Sequence, residues 1–159
     1  MRFLIQQKFF TLKDRFFIKD ERGYDCYEIA DKLVTVGNKF WVNTVDGNNL
    51  YFMRQKLFHL MPHYEIYQGE EVVANVRARF RFFRAKVEVQ SDRFGDILIT
   101  GNVMNWDFEI KRGDEMLAVI NKHILKVRDT YTLEIMARID PAFMIALAIL
   151  VDAMYQRRK

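Results

Sequence analysis

Cysteine is almost absent from this 159-residue chain. Cys26 is the only one, so no disulfide can form within the chain and a disulfide scaffold is excluded. That fits a reducing compartment. Proline and glycine are sparse, at two and seven residues. They supply no flexible or proline-rich linker, so one domain spanning 1–159 is expected. The longest apolar run, Pro141 to Val151, falls short of the roughly 20 residues of a membrane-spanning helix. Phe3-Leu4-Ile5 is interrupted at once by Gln6, Gln7 and Lys8, which leaves no signal-peptide core. A Walker loop, a GxGxxG turn and zinc-type Cys/His spacing are all missing, so no cofactor is called for. The expectation is a cytoplasmic protein, at most peripheral to a membrane.

Apolar residues, in contrast, make up 50% of the chain and aromatics 14%. That composition supports a packed core rather than disorder. A chain of this length buries about 68–70% of its unfolded surface. The 25 basic and 21 acidic side chains leave a net charge of +4. This modest excess permits anionic partners without requiring them.

Short segments rich in Phe, Tyr, Val and Ile recur about every ten residues, separated by Gly, Asn and Asp. Such spacing predicts a β-sandwich or barrel. Thirteen strands are expected: Arg2–Phe10, Arg15–Asp20, Tyr24–Ala30, Leu33–Val36, Phe40–Val45, Leu50–Lys56, Tyr64–Gln68, Val72–Phe80, Phe82–Gln90, Asp96–Asn102, Trp106–Lys111, Met116–Asn121 and Tyr131–Met136. Asp46-Gly47-Asn48-Asn49 reads as a turn, because Asn and Gly tolerate positive φ. The segment from Tyr64 to Ala74 repeats, 44 residues on and without a gap, from Phe108 to Ala118. Glu, Ile, Gly, Glu and Ala recur at matched places. Phe17-Ile18 with Gly23 is a fainter echo. Repeated hairpins that each bury one face can close into a barrel.

The last element differs. Asp140 suits an N-cap and Pro141 the first helical position, which predicts a helix from Pro141 to Gln156. Its first eleven residues carry no polar side chain, so it should be buried on all sides in the core, the alternative being insertion into a membrane or a partner. Ala142, Ala146, Ile149 and Ala153 form a narrow side. Asp152 and Gln156 are expected to emerge toward water at the far end.

Here a family resemblance enters. The segment Asp129–Asp140, DTYTLEIMARID, runs straight into Pro141–Asp152, PAFMIALAILVD. This resembles the ending of LURP-one-related (tubby C-terminal-like) proteins of the bacterial YxjI type. The stretch from Val45 to Leu50 and the hairpin at Tyr64-Glu65-Ile66 are similar as well. The resemblance covers nearly the whole chain. It implies a closed antiparallel barrel of about twelve strands around a central hydrophobic C-terminal helix, the fold of tubby domains and phospholipid scramblases. Met136-Ala137-Arg138 departs from the small, turn-like residues usual before that helix.

Several clusters invite a chemical reading. Arg77, Arg79 and Arg81 alternate with Val76, Ala78, Phe80 and Phe82, which in a strand places three guanidinium groups on one face. Arg84 and Lys86 continue the charge after Phe82-Phe83. Six basic and two acidic residues lie between 77 and 93. Arginine suits phosphate because its planar fork donates two parallel hydrogen bonds. The plainer alternative is a solvated strand face whose charges discourage edge pairing. His59 and His63 have i, i+4 spacing, but Pro62 argues against the helix a metal site would need, and no metal is expected. Cys26 has no motif around it and reads as a small buried hydrophobe. Glu70, Glu71, Asp114 and Glu115 fall at hairpin tips, and Trp41 and Trp106 in strand-like stretches, where packing is the simplest role.

No catalytic constellation emerges. The leading expectation is a non-enzymatic binding or scaffold domain for an anionic membrane surface or phosphorylated head group, with Arg77, Arg79, Arg81, Arg84 and Lys86 as the contact residues. Tubby domains bind phosphoinositides, and the resemblance extends that expectation by fold analogy. A protein-interaction module and a nucleic-acid-associated regulator are the alternatives. Lipid scrambling is disfavoured by the lack of a spanning segment.

Overall fold

β-branched and aromatic residues alternate with polar ones through most of the chain, and that alternation becomes the two faces of one barrel wall. The computed structural model describes residues 1–6, 15–34, 37–81, 83–122 and 130–156. Among them, twelve strands precede one helix: β1 (Arg2–Gln6), β2 (Arg15–Asp20), β3 (Asp25–Val34), β4 (Gly37–Thr44), β5 (Asn49–Gln55), β6 (His63–Gln68), β7 (Glu71–Arg81), β8 (Arg84–Gln90), β9 (Ile97–Asn102), β10 (Asp107–Arg112), β11 (Glu115–Asn121), β12 (Thr130–Ile135) and α1 (Pro141–Gln156). Each strand pairs antiparallel with its neighbours in sequence, and β1 pairs with β12, which closes the barrel and leaves no edge. Thirteen expected strands become twelve because Tyr24–Ala30 and Leu33–Val36 belong to one ten-residue strand, β3. The polar pair Asp31-Lys32 lies within that strand and does not break it. Residues 7–10 of the first expected strand, 35–36 of the fourth and 82 of the ninth lie outside the described residues.

The repeat has a structural counterpart. β6–β7 and β10–β11 are both hairpins turning at a glycine with positive φ, Gly69 at 61° and Gly113 at 59°. Each carries a register shift at the matched step, Ile66/Tyr67 and Ile110/Lys111. The fainter echo has one too, at Ile18/Lys19, and so does the β4–β5 hairpin at Val42/Asn43. Such irregularities sharpen local twist and help a sheet curl.

Helix α1 fills the interior. Every residue from Ala142 to Met154 is buried, with Phe143, Ile145, Leu147 and Leu150 at 0% exposure. Asp140 caps it as the sequence predicts, accepting the Ala142 N–H at 3.0 Å. The Met136-Ala137-Arg138 corner still turns tightly, with the Ile139 N–H donating to the Ala137 carbonyl at 3.1 Å. Sixteen residues span about 24 Å. The helix enters at the end where even-numbered strands finish and runs to the opposite end, where the Tyr155 hydroxyl donates to the Lys86 carbonyl at 3.4 Å. These are the entry end and the exit end. One expectation fails here: Asp152 does not emerge toward water but is 5% exposed. The barrel wall extends past the helix's last turns, and Asp152 lies close enough to Tyr131 to raise its hydroxyl pKa further, after burial has raised it most. The side chain of Gln156 lies outside the described residues.

Candidate functional site

The basic segment folds into a two-stranded patch rather than one row. Along β7, Val76 and Ala78 point into the core while Arg77 and Arg79 are exposed, as alternation predicts. β7 ends at Arg81, and β8 begins at Arg84 and runs antiparallel to it. Arg84 and Lys86 therefore lie beside the arginines, not beyond them. The register pairs Arg77 with Glu88, Arg79 with Lys86 and Arg81 with Arg84. Directly opposed residues share a face, with Cβ atoms about 4.5–5.5 Å apart. Two successive rungs thus set cation against cation. The Arg81 side chain itself lies outside the described residues. Glu88 is the acid of this ladder, and it pairs diagonally with Arg79 at 3.3 Å.

A second basic row escaped the sequence reading. The register aligns Lys32 with Lys39 and Lys39 with Arg54 across β3, β4 and β5. Each strand contributes one cation, so no run in the sequence announced it. Glu65 on β6 ends the row and pairs with Arg54 at 3.0 Å. Burial alone would raise the Glu65 carboxyl pKa, but hydrogen bonds from Arg54 and Tyr67 outweigh it and hold the group below its ordinary value. A concavity of about 390 Å³ at the exit end is lined by Lys39, Arg54 and Lys56 together with Leu57 and Phe58. Another, of about 350 Å³, adjoins the ladder, and there Arg84 and Lys86 face Asp107 and Glu109. The first is cationic and the second balanced.

The remaining candidates resolve individually. Without any helix, the His59 and His63 rings meet edge to face with centroids 4.9 Å apart. His63 is buried and places Nε2 3.1 Å from Asn75 Oδ1, while His59 is exposed. No group of three or more His, Cys, Asp or Glu side chains among the described residues could hold a metal. His123 lies outside them. Cys26 is half-buried, and burial together with Asp20 raises its thiol pKa, which disfavours the thiolate. Glu70 and Asp114 are exposed at their tips, Glu71 pairs with Arg93 at 3.0 Å, and Glu115 pairs with Arg112 at 2.8 Å. Trp106 is a core residue, whereas Trp41 stacks on the outer wall against Phe52 at 5.1 Å.

The LURP-one-related family profile matches residues 1–152. The chain belongs to the LURP-one-related family. Within reach of direct comparison is the uncharacterised protein YxjI of Bacillus subtilis (strain 168), 26% identical over 148 residues, which cover 93% of this chain and 90% of the relative. No solved structure gives a significant match. No helix among the described residues is long and apolar enough to cross a membrane.

Proposed function

We propose that this LURP-one-related chain is a non-enzymatic binding domain that recognises anionic phospholipid head groups with the β7–β8 basic ladder. One observation carries the reading: Arg79 opposes Lys86 and Arg81 opposes Arg84. Like charges directly across a ladder destabilise a sheet. Among their described side chains only Arg79 has an acidic partner, Glu88, and an anion bound between the cations relieves the repulsion. Lys39 and Lys56 line a concavity that contains no carboxylate, and Arg84 and Lys86 are beyond ion-pair distance of the Asp107 and Glu109 they face. The Lys32–Lys39–Arg54 row repeats the pattern three strands away.

Cations beside an anionic membrane contribute about 1 kcal/mol each. Three of them supply about 3 kcal/mol, or more than a hundredfold in affinity. Sedimentation with phosphatidylcholine vesicles, with and without phosphatidylserine, tests this against the R79A/R84A/K86A variant. The parent protein is expected to bind only the anionic vesicles and to release them in roughly 0.5 M salt, where exposed charges are screened. Equal sedimentation of parent and variant would remove the ladder from the binding surface. Binding of duplex DNA in preference to vesicles would favour the nucleic-acid alternative.

A further inference from the structure

The two ends of the barrel differ in charge and in their exposed apolar side chains. Connections after even-numbered strands gather at the entry end, and their residues include seven acids against three bases. Connections after odd-numbered strands gather at the exit end. Their described residues include lysines and no carboxylate at all. Exposed apolar side chains occur at both ends, but the most exposed of them share the exit end. The four most exposed large apolar side chains among the described residues are Phe58 and Leu60 at 103%, Met104 at 75% and Phe83 at 70%. All four lie on exit-end connections.

Those connections are neighbours. They follow β5, β7 and β9, and so form three consecutive hairpin tips on one side of the barrel. Backbone hydrogen bonds hold each in place: the Val103 N–H donates to the Phe83 carbonyl at 3.2 Å, and the Ala78 N–H to the Pro62 carbonyl at 3.0 Å. Phe58 sits at φ 64°, a conformation that is an outlier for a bulky side chain. Leu57 turns back onto Gly37 while Phe58 projects into solvent. Cations flank two of the three tips: Lys56 precedes Leu57 and Phe58, and Arg84 follows Phe83.

We infer that the exit end is a membrane-docking end, whose apolar tips Phe58, Leu60, Phe83 and Met104 enter the interfacial layer of an anionic bilayer while the adjoining basic ladder and row meet the head groups. This rests on the head-group reading and deepens it, because it fixes the orientation of the barrel and adds an apolar contact. A surface joining exposed apolar side chains to a cationic surround matches the layered chemistry of a bilayer, with acyl chains beneath and anionic head groups above. Charge complementarity selects this occupant: the end whose described connections carry lysines and no carboxylate faces the anionic surface, and the acidic end faces away. The tips are also single side chains on separate turns. A fluid interface accommodates such points one by one, whereas a folded partner would need a matching pocket for each.

The test places a tryptophan reporter at each end. Phe58→Trp marks the exit end, and Tyr24→Trp, at a 67%-exposed position on the entry end, is the control. Vesicles of phosphatidylcholine and phosphatidylserine containing brominated acyl chains quench only a tryptophan that reaches the bilayer. The expected result is added quenching in F58W over the parent and none in Y24W. The F58S/L60S variant, which alters only exposed side chains, should keep the parent's circular dichroism and melting temperature yet bind the vesicles on the order of tenfold more weakly. If the parent sediments with anionic vesicles but F58W is not quenched, or F58S/L60S binds as well as the parent, the docking end is overturned while the head-group reading survives. If the parent fails to sediment at low salt, the head-group reading itself fails. A concentration-dependent dimer that F58S/L60S dissolves, with vesicle binding untouched, assigns the tips to a second copy and overturns the proposal.

Discussion

The Tyr51 hydroxyl of β5 donates to Asp140 Oδ2, joining the barrel wall to the N-cap of the central helix. The other oxygen, Oδ1, caps the helix through the Ala142 N–H. One carboxylate therefore serves two elements that are distant in sequence. Burial raises the Tyr51 pKa most, and the bond to Asp140 raises it further, so the hydroxyl stays protonated as a donor. Hydrogen bonds to charged groups contribute about 1.5–3 kcal/mol. Tyr51→Phe should cost about that much in urea unfolding, and Asp140→Ala more, because it also removes the cap. A Tyr51→Phe variant as stable as the parent would show that the bond contributes nothing.

Gly101 of β9 sits opposite Phe108 of β10 and Ala85 of β8. A Cβ there would lie 2.2 Å from the Asp107 carbonyl oxygen and 2.6 Å from Phe108 Cα. These are backbone atoms, so the strand itself would have to move. Overpacking of this kind costs about 1–3 kcal/mol or more. Gly101→Ala should lower the melting temperature clearly, whereas Gly113→Ala, at a turn with open space around it, should act only through its positive φ. An unchanged melting temperature for Gly101→Ala would refute the close approach.

The sequence made the architecture legible because two signals were independent of each other. Glycines such as Gly69 and Gly113 punctuate hairpins, and an apolar helix capped by Asp140 has to be buried on every side. What escaped was set by tertiary context. Asp152 looked solvent-bound on a helical wheel, yet the wall of the barrel reaches past it. Asp31-Lys32 separated two expected strands but lies within one long strand. The β7 arginines were visible as a run, while Lys32, Lys39 and Arg54 meet only through register. Phe58 and Leu60 fall between two expected strands, where hydrophobicity alone does not reveal exposure.

His63 gives the protein a pH dependence with a definite sign. Burial lowers its pKa most, and the positive charges of Arg77, His59 and Lys56 lower it further against the opposing hydrogen bond to Asn75. The unfolded chain titrates near the ordinary value of about 6.5. Below that pH the unfolded state takes up a proton that the folded state resists, so stability falls as pH drops through 6.5 and levels off below the folded pKa. Melting temperatures measured between about pH 7.5 and pH 5 should fall, and His63→Gln should flatten that slope. Parallel slopes for the two proteins would assign the acid sensitivity elsewhere.

Glu88 provides the sharpest test of the ladder, because it predicts a gain. Its carboxylate lies opposite Arg77 and pairs with Arg79 at 3.3 Å, so it draws field away from two cations on the outer face. Both partners of that ion pair are more than a third exposed, and such pairs contribute about 0–1 kcal/mol to stability. Glu88→Gln should therefore leave the fold nearly as stable while raising the charge of the face by one. Near an anionic bilayer that change contributes about 1 kcal/mol, which is about fivefold in affinity. Vesicles of phosphatidylcholine and phosphatidylserine should bind the variant more tightly at low salt, and the advantage should vanish at high salt. The isosteric change keeps the side chain's shape, so packing cannot account for a gain. Unchanged or weaker binding, with the fold intact, would mean that the β7–β8 face is not the one that meets the membrane.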